Sequence, residues 1–320
     1  MKRTALTVLA LTAALGFTPA AAQQAKQLSI ATGGTGGIYY PLAGGFGTIL
    51  GKEYPGLTAT AEVTGGSVDN MKLIGTGKAD VAFTQVDAAV DALNGRDKFT
   101  SKLPIRGLVV MYPNIMQVIT LEGKGIEKFE DLKGKRVSTG SPGSGSEVYA
   151  FRVIEAAGLD KDKDMKRERL SVAESTNALK DRKIDAYFWV GGLPTAAVTD
   201  LAATPGVKIK LIDTAELVGK MNAKYNNLYT TGMIPAKTYP GQDKDNPVSV
   251  IQNILVAHAK MSDKVAYDIV KTLMEKKPEL VAVHKEAESI TLENQSPKNT
   301  PIPWHPGAAK YFGEKGAKVM

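Results

Sequence analysis

The chain has 320 residues, a formal net charge of +7 from 40 Lys and Arg against 33 Asp and Glu, and no cysteine. A sequence without cysteine excludes disulfides, thiol catalysis and thiolate metal sites, so a core of buried side chains must supply the stability. The modest basic charge fits a solvated surface, and charged runs such as 161–169 lack the interleaved aromatic residues of a nucleic-acid groove.

The first 22 residues match the pattern of a secretory signal peptide. Lys2 and Arg3 form a positive start, 5–17 is an uncharged apolar run, and 20–22 supplies three alanines for cleavage. The run is shorter than the roughly 20 apolar residues that a membrane-spanning helix needs. We expect cleavage after Ala22, location in the periplasm, and no insertion of the protein into the membrane.

From residue 28 onward, short apolar strands alternate with helix-like stretches, which predicts βαβ units and a mainly parallel sheet. The first series of predicted elements consists of strands over 28–32, 57–63 and 80–84, helices over 40–52, from after the turn 64–67 to about 74 and from about 85, and two strands over 106–111 and 115–121 that are joined across 112–114.

A second series of predicted elements follows the first. It consists of a short helix over 129–132, strands over 136–139, 184–190 and 207–212, a helix from the loop 140–146 to about 157, two long β segments over 229–233 and 248–258, and a helix over 262–276. Pro194 is predicted in the first turn of the helix that follows the 184–190 strand.

This order of elements predicts an α/β fold with two lobes around a hinge. The first series stops near residue 113 and the chain returns to it near residue 230. Lobe 1 would therefore comprise 23–112 and 230–320, and lobe 2 would comprise 113–229. Two crossing strands would form the hinge, and the cleft between two lobes is a usual place for a small ligand.

A glycine-rich loop at 32–41, TGGTGGIYYP, is the first candidate binding segment. Its backbone N–H groups and the following helix start suit a carboxylate or phosphate. The glycine spacing matches neither the dinucleotide fingerprint nor the P-loop. A flexible turn is the alternative, but two tyrosines at the helix start favour a ligand role. The candidate contacts are Thr35, Gly36, Gly37 and Tyr39.

Two further loops also connect a strand to a helix. In 63–70, VTGGSVDN, the candidates are Thr64, Gly65 and Ser67, and Ser67 would serve equally well as a helix N-cap. The loop 138–147, STGSPGSGSE, is a dense set of hydroxyl and N–H donors, with a solvated serine-rich turn as its alternative. Its candidate contacts are Ser141, Ser144, Gly145 and Ser146.

Three residues at strand ends are additional candidates. Gln85 would hydrogen-bond an amide or carboxylate, and Asp87 would accept from an ammonium group or cap a helix. Trp189, in FWVGGLP, would form a wall of the cleft or pack in the core.

No catalytic group is recognisable. The three histidines, His258, His284 and His305, lack metal-ligand spacing, and no serine lies in a nucleophile elbow. We therefore expect a protein that is not an enzyme and that carries no metal or cofactor.

Several ordered strings together resemble one known family. They are TGGTGGIYYPLAGG, TGGSVDNMKLI, ADVAFTQVDAA, FEDLKGKRVSTGSPGSGSE, DAYFWVGGLP and PWHPGAAKYF. They closely resemble the TAXI family, the solute-binding proteins of tripartite ATP-independent periplasmic (TRAP) transporters. The resemblance covers nearly all of the mature chain, and its specificity comes from the order of the strings rather than from any one of them.

The resemblance implies a type II periplasmic-binding-protein fold that closes on its ligand, with a two-strand hinge and a cleft between the lobes. It implies delivery to a TRAP membrane permease driven by an ion gradient, and family ligands include glutamate, glutamine and related C5 dicarboxylates. Residues 35–39, 64–67, 85, 141–146 and 189 would line the cleft. Val86 stands where some relatives carry a polar residue, which favours a dicarboxylate such as 2-oxoglutarate over glutamate.

Two alternatives stay open at this point. The first is a periplasmic enzyme, or a binding protein for a thiamine precursor, on the same scaffold. The second is a ligand-loaded partner of a sensor kinase rather than of a permease. In each case we expect a monomer that binds a small molecule and no nucleic acid.

Overall fold

The computed structural model describes residues 26–318, and the predicted signal peptide lies outside this range. The strands are β1 Lys26–Ala31, β2 Leu57–Glu62, β3 Val81–Gln85, β4 Ile105–Leu121, β5 Arg136–Ser138, β6 Lys166–Glu168, β7 Ala186–Gly191, β8 Ile209–Ile212, β9 Thr230–Ile234 and β10 Asn246–His258.

The helices alternate with the strands over most of the chain. They are α1 Tyr39–Glu53, α2 Ser67–Gly75, α3 Val86–Asn94, α4 Gly145–Ala156, α5 Val172–Lys180, α6 Ala196–Ala203, α7 Val218–Lys224, α8 Asp263–Glu275, α9 Lys277–Val283 and α10 Pro306–Glu314. Short 3-10 helices span Phe129–Leu132, Ala215–Leu217 and Lys285–Ser289.

The strands form one mixed sheet in the order β2-β1-β3-β10-β4-β7-β5-β6, so the predicted α/β class is confirmed. We call β2, β1 and β3 the first half of the sheet, and β7, β5 and β6 the second half; the strands within each half are parallel. The two long antiparallel strands β4 and β10 lie between them. Each of the two exchanges one neighbouring strand midway. Residues 246–250 of β10 pair with β9 and residues 253–257 pair with β3, whereas residues 105–115 of β4 pair with β10 and residues 118–121 pair with β8.

The prediction of two strands joined across 112–114 is wrong, because β4 runs unbroken through this segment. Pro113 lies opposite Gln252, next to a register shift between Gln252 and Ile254. Proline is tolerated in a strand at such an irregularity, because the ladder is already interrupted there. At about 3.3 Å per residue, the 17 residues of β4 extend over roughly 55 Å and reach both halves of the sheet.

Two other local predictions need correction. Pro194 is not in the first turn of a helix, because Thr195 is the N-cap and α6 begins at Ala196. Helix α5, like β6 and α7, had no predicted counterpart, although Ser171 and Glu174 form a capping box at the start of α5, which stabilises a helix N-terminus. The other predicted strands and helices are confirmed with boundary shifts of a few residues.

Helices cover both faces of the sheet. Helices α2, α3, α4 and α7 share one continuous apolar cluster on one face. On the other face, α1, α8, α9 and α10 cover the first half, and α5 and α6 cover the second. Ile234, Tyr239 and Val248 pack in the cluster with α5 and α6, which favours placing 230–248 with the second half. The lobe boundaries at 113 and 230 stay a prediction.

Candidate functional site

The three predicted loops follow β1, β2 and β5, at the strand ends where α1, α2 and α4 begin. Carboxyl ends of parallel strands are the usual ligand-facing edge of an α/β sheet. The loops come from both halves of the sheet. The two halves contact each other at three places, and at each place a glycine allows the close approach.

The first meeting place is Gly66, which has a φ of 116° that favours glycine. A β-carbon on Gly66 would lie 3.3 Å from the Cα of Ser144. The backbone N–H groups of Val68 and Asp69 donate to the carbonyl oxygen of Gly143 at 3.0 and 3.1 Å. The loop before α4 therefore caps the start of α2, and protein atoms already satisfy these helix-terminal donors.

The second meeting place is Gly145, the first residue of α4. A β-carbon there would lie 2.6 Å from Ser67 Oγ and 2.6 Å from Gln85 Cδ. The starts of α2 and α4 and the end of β3 therefore converge at one point, and three predicted residues, Ser67, Gln85 and Gly145, are brought together.

The serine hydroxyls at this point accept from backbone N–H groups. Ser67 Oγ accepts from Gln85 N at 3.1 Å, Ser144 Oγ caps α4 by accepting from Glu147 N at 3.0 Å, and Ser146 Oγ accepts from Val190 N at 3.2 Å. Ser67 is thus not an N-cap, since Gly66 holds that position. Each serine hydroxyl retains its own hydrogen for donation.

Three other predicted residues stabilise the loops near the first meeting place. Thr64 Oγ1 donates to Asn70 Oδ1 at 2.7 Å and accepts from Gly66 N at 3.1 Å. Ser141 Oγ donates to the carbonyl oxygen of Gly65 at 3.4 Å. The contact between Ser141 and Gly65 again joins a loop of one half of the sheet to a loop of the other.

The third meeting place is the 32–38 loop. A β-carbon on Gly37 would lie 3.0 Å from the ring of Trp189, and one on Gly36 would lie 3.1 Å from Val172 at the start of α5. Thr35 is exposed. The loop after β1 therefore rests directly on the second half of the sheet and its helices.

A small cavity of about 30 Å³ lies behind this loop. Its lining residues are Gly33, Gly34, Gly37, Ile38, Tyr39, Tyr112, Asn114, Trp189, Val190 and Gly191. None of these ten residues is charged. A site of that size has room for about one or two waters. Larger surface grooves in the described part of the chain contain none of the predicted residues.

Trp189 is half-buried and forms one wall of this cavity, and its predicted contact with a ligand stays a prediction. Its Nε1 donates to Thr195 Oγ1 at 2.9 Å, and Thr195 Oγ1 also lies 3.3 Å from Gln117 Nε2. These hydrogen bonds hold the indole in one orientation against Gly37.

Tyr39 joins the cavity to the two long strands. Its hydroxyl donates to Asn253 Oδ1, and its ring stacks on Phe83 with a centroid distance of 5.0 Å. Asn114 Nδ2 donates to the same Asn253 Oδ1 at 2.7 Å. Burial raises the pKa of Tyr39 well above its usual range, so its hydroxyl stays protonated and keeps its donor hydrogen.

Asn114 and Asn253 were missed by the sequence reasoning. Both are buried polar residues in mainly apolar strands, and burial of such groups is costly without partners. That contrast was the available signal. Among the described residues, Gln85 Oε1, Asn114 Oδ1 and Asn253 Nδ2 have no hydrogen-bond partner.

Asp87 is placed elsewhere. It does not line the cavity, and its carboxylate accepts from Tyr229 Oη and Ala88 N, each at 2.8 Å, and pairs with Arg152 at 3.4 Å. Burial raises the pKa of Asp87, although Arg152 opposes the shift. Asp87 therefore ties α3 to α4, and these contacts, rather than the expected ligand ammonium, occupy its carboxylate.

Residues 26–318 contain neither a cluster of metal-ligating side chains nor a membrane-spanning helix. No group of three His, Asp or Glu side chains could hold a metal ion there. In the same range, no helix combines the length and the apolar character needed to cross a membrane.

Comparison with known proteins identifies a family and the fold. A model of the NMT1-like family matches residues 30–316. An ancestral arginine-binding protein bound to arginine is 14% identical, with 82% of this chain and 98% of that chain covered and a TM-score of 0.51. A protein from Bordetella bronchiseptica RB50 is 19% identical, with 92% and 81% covered and a TM-score of 0.50.

The periplasmic aliphatic sulphonate binding protein SsuA from Escherichia coli is a more distant match. It is 14% identical, with 90% of this chain and 83% of that chain covered and a TM-score of 0.46. The likeness to the arginine-binding structure confirms the expected fold, a mixed α/β arrangement of the type II periplasmic-binding-protein kind.

Proposed function

The chain belongs to the NMT1-like family, and from this we propose that it is a periplasmic solute-binding protein that captures a small carboxylate. The ligand would be a C5 dicarboxylate or a compound like glutamate or glutamine. The protein would deliver it to the membrane permease of a TRAP transporter. The choice of permease rests on the ordered strings that resemble the TAXI family.

The observation that supports this proposal most is the convergence of the starts of α2 and α4 on Gln85. A helix start of each half of the sheet lies there, within van der Waals contact through Gly145. Helix N-termini carry partial positive charge, which suits an anion even where, as here, the N–H groups of Val68, Asp69 and Glu147 already donate within the protein. Since no lining residue of the cavity is charged, a carboxylate would be held by neutral donors.

Capture would require the halves of the sheet to open and close. The present cavity admits about one or two waters, and the 32–38 loop contacts Trp189 and Val172 directly. Separation of these contacts would open a path to Tyr39 and Gln85. Closure around the ligand, by hinge motion on the two long strands, would then bury it and form a surface from both halves for the permease.

We also infer that the chain does not act as an enzyme. The hydroxyls of Ser67, Ser144 and Ser146 accept from backbone N–H groups, and no histidine of the described chain lies in hydrogen-bond contact with them. A nucleophilic serine needs such a base. Incubation of the protein with each bound compound should therefore leave the compound chemically unchanged, as read by mass spectrometry.

The proposal is tested by calorimetry on mature protein that has been unfolded, dialysed and refolded to remove carried ligand. The panel contains glutamate, glutamine, 2-oxoglutarate, glutarate, a hexose and a polyamine. We expect micromolar or tighter binding of at least one carboxylate, about −8 kcal/mol or more favourable. Binding of the sugar or the polyamine alone would contradict the proposal.

A second experiment tests the partner. A TRAP permease and this protein, reconstituted together in vesicles, should give uptake of the carboxylate that an ion gradient drives without ATP. Uptake that requires ATP and an ATPase subunit would overturn the assignment to a TRAP system while leaving the carboxylate proposal intact.

A further inference from the structure

Three amide side chains form a row across the middle of the sheet. Gln85 ends β3 and lies directly opposite Asn253 of β10, and Asn114 of β4 lies opposite Ile251 of β10. Directly opposed residues point to the same face of a sheet, so Gln85 and Asn253 share one face. The register shift between Gln252 and Ile254 interrupts the alternation along β10, and the position of Asn114 is instead fixed by its hydrogen bond to Asn253, with 2.7 Å between Asn114 Nδ2 and Asn253 Oδ1.

The hydrogen bonds of the two asparagines leave one donor and one acceptor unused. Asn253 Oδ1 accepts from both Tyr39 Oη and Asn114 Nδ2, so Asn253 Nδ2 and Asn114 Oδ1 remain without partners in the described chain. If both amides were rotated by 180°, Asn253 would donate to Asn114, and the unused atoms would be one oxygen and one NH2 group again. The pair offers one donor and one acceptor in either orientation.

Burial makes these unused atoms exceptional. Asn253 is 0% exposed, Asn114 is 1% exposed and Gln85 is 3% exposed. Buried polar side-chain atoms in folded proteins nearly always have a partner, because the loss of their hydrogen bonds to water is otherwise uncompensated. Buried atoms without a partner also occur at Tyr149, Asn246 and His305, so the distinguishing feature of these three is that they lie on paired neighbouring residues, one of which lines the cavity.

Their position points to the ligand as the missing partner. Asn114 lines the cavity together with Tyr39 and Trp189, and Gln85 lies at the convergence of the starts of α2 and α4. A ligand held at these helix starts would therefore lie against the row of amides.

We propose that Asn114 and Asn253 are specificity-determining residues that select a carboxylate carrying a hydrogen-bond donor, such as an ammonium, amide or hydroxyl group. This proposal rests on the proposed function of the cleft. An ionised carboxylate or a ketone accepts only, so it satisfies Asn253 Nδ2 and leaves Asn114 Oδ1 facing another oxygen. A ligand with a donor beside its carboxylate satisfies both atoms. An oxo acid such as 2-oxoglutarate is therefore disfavoured, contrary to the expectation from Val86.

The test compares four ligands with the same C5 skeleton on the mature protein by calorimetry. Glutamate and 2-hydroxyglutarate carry a donor at the second carbon, whereas 2-oxoglutarate and glutarate do not. We expect the tighter of the two donor-bearing ligands to bind at least about tenfold more tightly than either of the others, because a site with a committed polar atom rejects an analogue without the matching group.

Variants then assign the preference to the residues. Asn114→Leu should reduce the ratio of affinities to below about threefold. Asn246→Leu is the matched control, since Asn246 is also a buried asparagine of β10 with an oxygen that lacks a partner in the described chain, but it lies outside the cavity. Asn246→Leu should keep the full ratio. Circular dichroism and thermal melting establish that each variant is folded.

The outcomes separate the two proposals. Wild-type protein that binds 2-oxoglutarate or glutarate as tightly as the donor-bearing ligands overturns this inference and leaves the proposed function standing. Wild-type protein that binds no carboxylate overturns both. If Asn114→Leu does not fold, Asn253→Leu takes its place, and the wild-type ligand ratios remain decisive by themselves.

Discussion

The carboxylate of Glu286 accepts a hydrogen bond from the backbone N–H of Leu193, with 2.6 Å between Oε1 and that nitrogen. Glu286 belongs to the 3-10 helix Lys285–Ser289, whose Ala287 packs in the core of α1, whereas Leu193 packs in the core of α5 and α6. The bond therefore joins the two halves of the sheet, close to the loop that carries Trp189.

Glu286→Ala should accelerate ligand release. Loss of the acceptor leaves the Leu193 N–H without its partner, so the closed arrangement becomes less stable relative to an open one. We expect the dissociation rate to rise about fivefold, as measured by stopped flow, with little change in the association rate. Glu286→Gln retains an oxygen acceptor and should show a smaller change. Glu288→Ala, an exposed residue of the same 3-10 helix, is the control and should have no effect.

Gly145→Ala should abolish most ligand binding. The added methyl group would lie 2.6 Å from both Ser67 Oγ and Gln85 Cδ, so the starts of α2 and α4 would have to separate. We expect an affinity loss of about tenfold or more by calorimetry. Gly44→Ala in α1 is the matched control, since its methyl group enters open space. Binding should then be unchanged, with stability raised by about 0.5–1 kcal/mol.

Arg152→Met should be strongly destabilising. Arg152 is 4% exposed and is the cation that pairs with both Asp87 and Asp91. Its removal leaves two buried carboxylates without a cation, which typically costs about 3–5 kcal/mol of unfolding free energy. Chemical denaturation measures this loss. Lys180→Met removes a surface pair with Asp200 and should change stability by less than about 1 kcal/mol.

Stability should depend on pH through Asp91. Burial raises the pKa of this carboxyl to about 6, despite the neighbouring Arg152. The pKa of an aspartate is about 4 in an unfolded chain, so between about pH 4 and pH 6 the folded state binds more protons than the unfolded state. The contribution of Asp91 to the free energy of unfolding therefore falls as the pH rises from about 4 to about 6. Asp91→Asn should reduce that fall by roughly 1 kcal/mol, since partial exposure screens the charge. An unchanged pH profile of the urea midpoint would contradict this.

Trp189 should report ligand binding by fluorescence. The sequence contains two tryptophans, and only Trp189 lines the cavity, whereas Trp304 packs on Phe312. Ligand entry changes the surroundings of the Trp189 indole, so emission should change on binding in the wild type and in Trp304→Phe. The change should vanish in Trp189→Phe. A signal that follows Trp304 would place the ligand elsewhere.

Local sequence was sufficient to find the candidate loops. The segments around Gly37, Gly66 and Gly145 are each glycine-rich and stand between a strand and a helix, and this context is decided by neighbours in the chain. A helix start exposes N–H groups wherever it lies. The loops could therefore be predicted without knowing that Gly66 and Ser144 would meet.

The residues that the sequence did not reveal, or placed wrongly, have their positions set by contacts between distant parts of the chain. Asn114 and Asn253 are 139 positions apart, and only the register of β4 with β10 brings them together. Asp87 has a short polar side chain at a helix start, which locally resembles a cap or ligand contact. Its partner Tyr229 is 142 positions away, so no local pattern predicts their contact.

The pair of long strands also limits how the molecule can deform. Two adjacent strands joined by hydrogen bonds resist stretching and shear within the plane of the sheet but bend readily out of it. In the proposed opening, a single connecting strand would allow one half to rotate freely, whereas β4 and β10 together would restrict the direction of the movement. Weak contacts, such as those of the Gly143 carbonyl oxygen with the start of α2, would then re-form in the same geometry, because the two connecting strands would keep the two surfaces at high effective concentration.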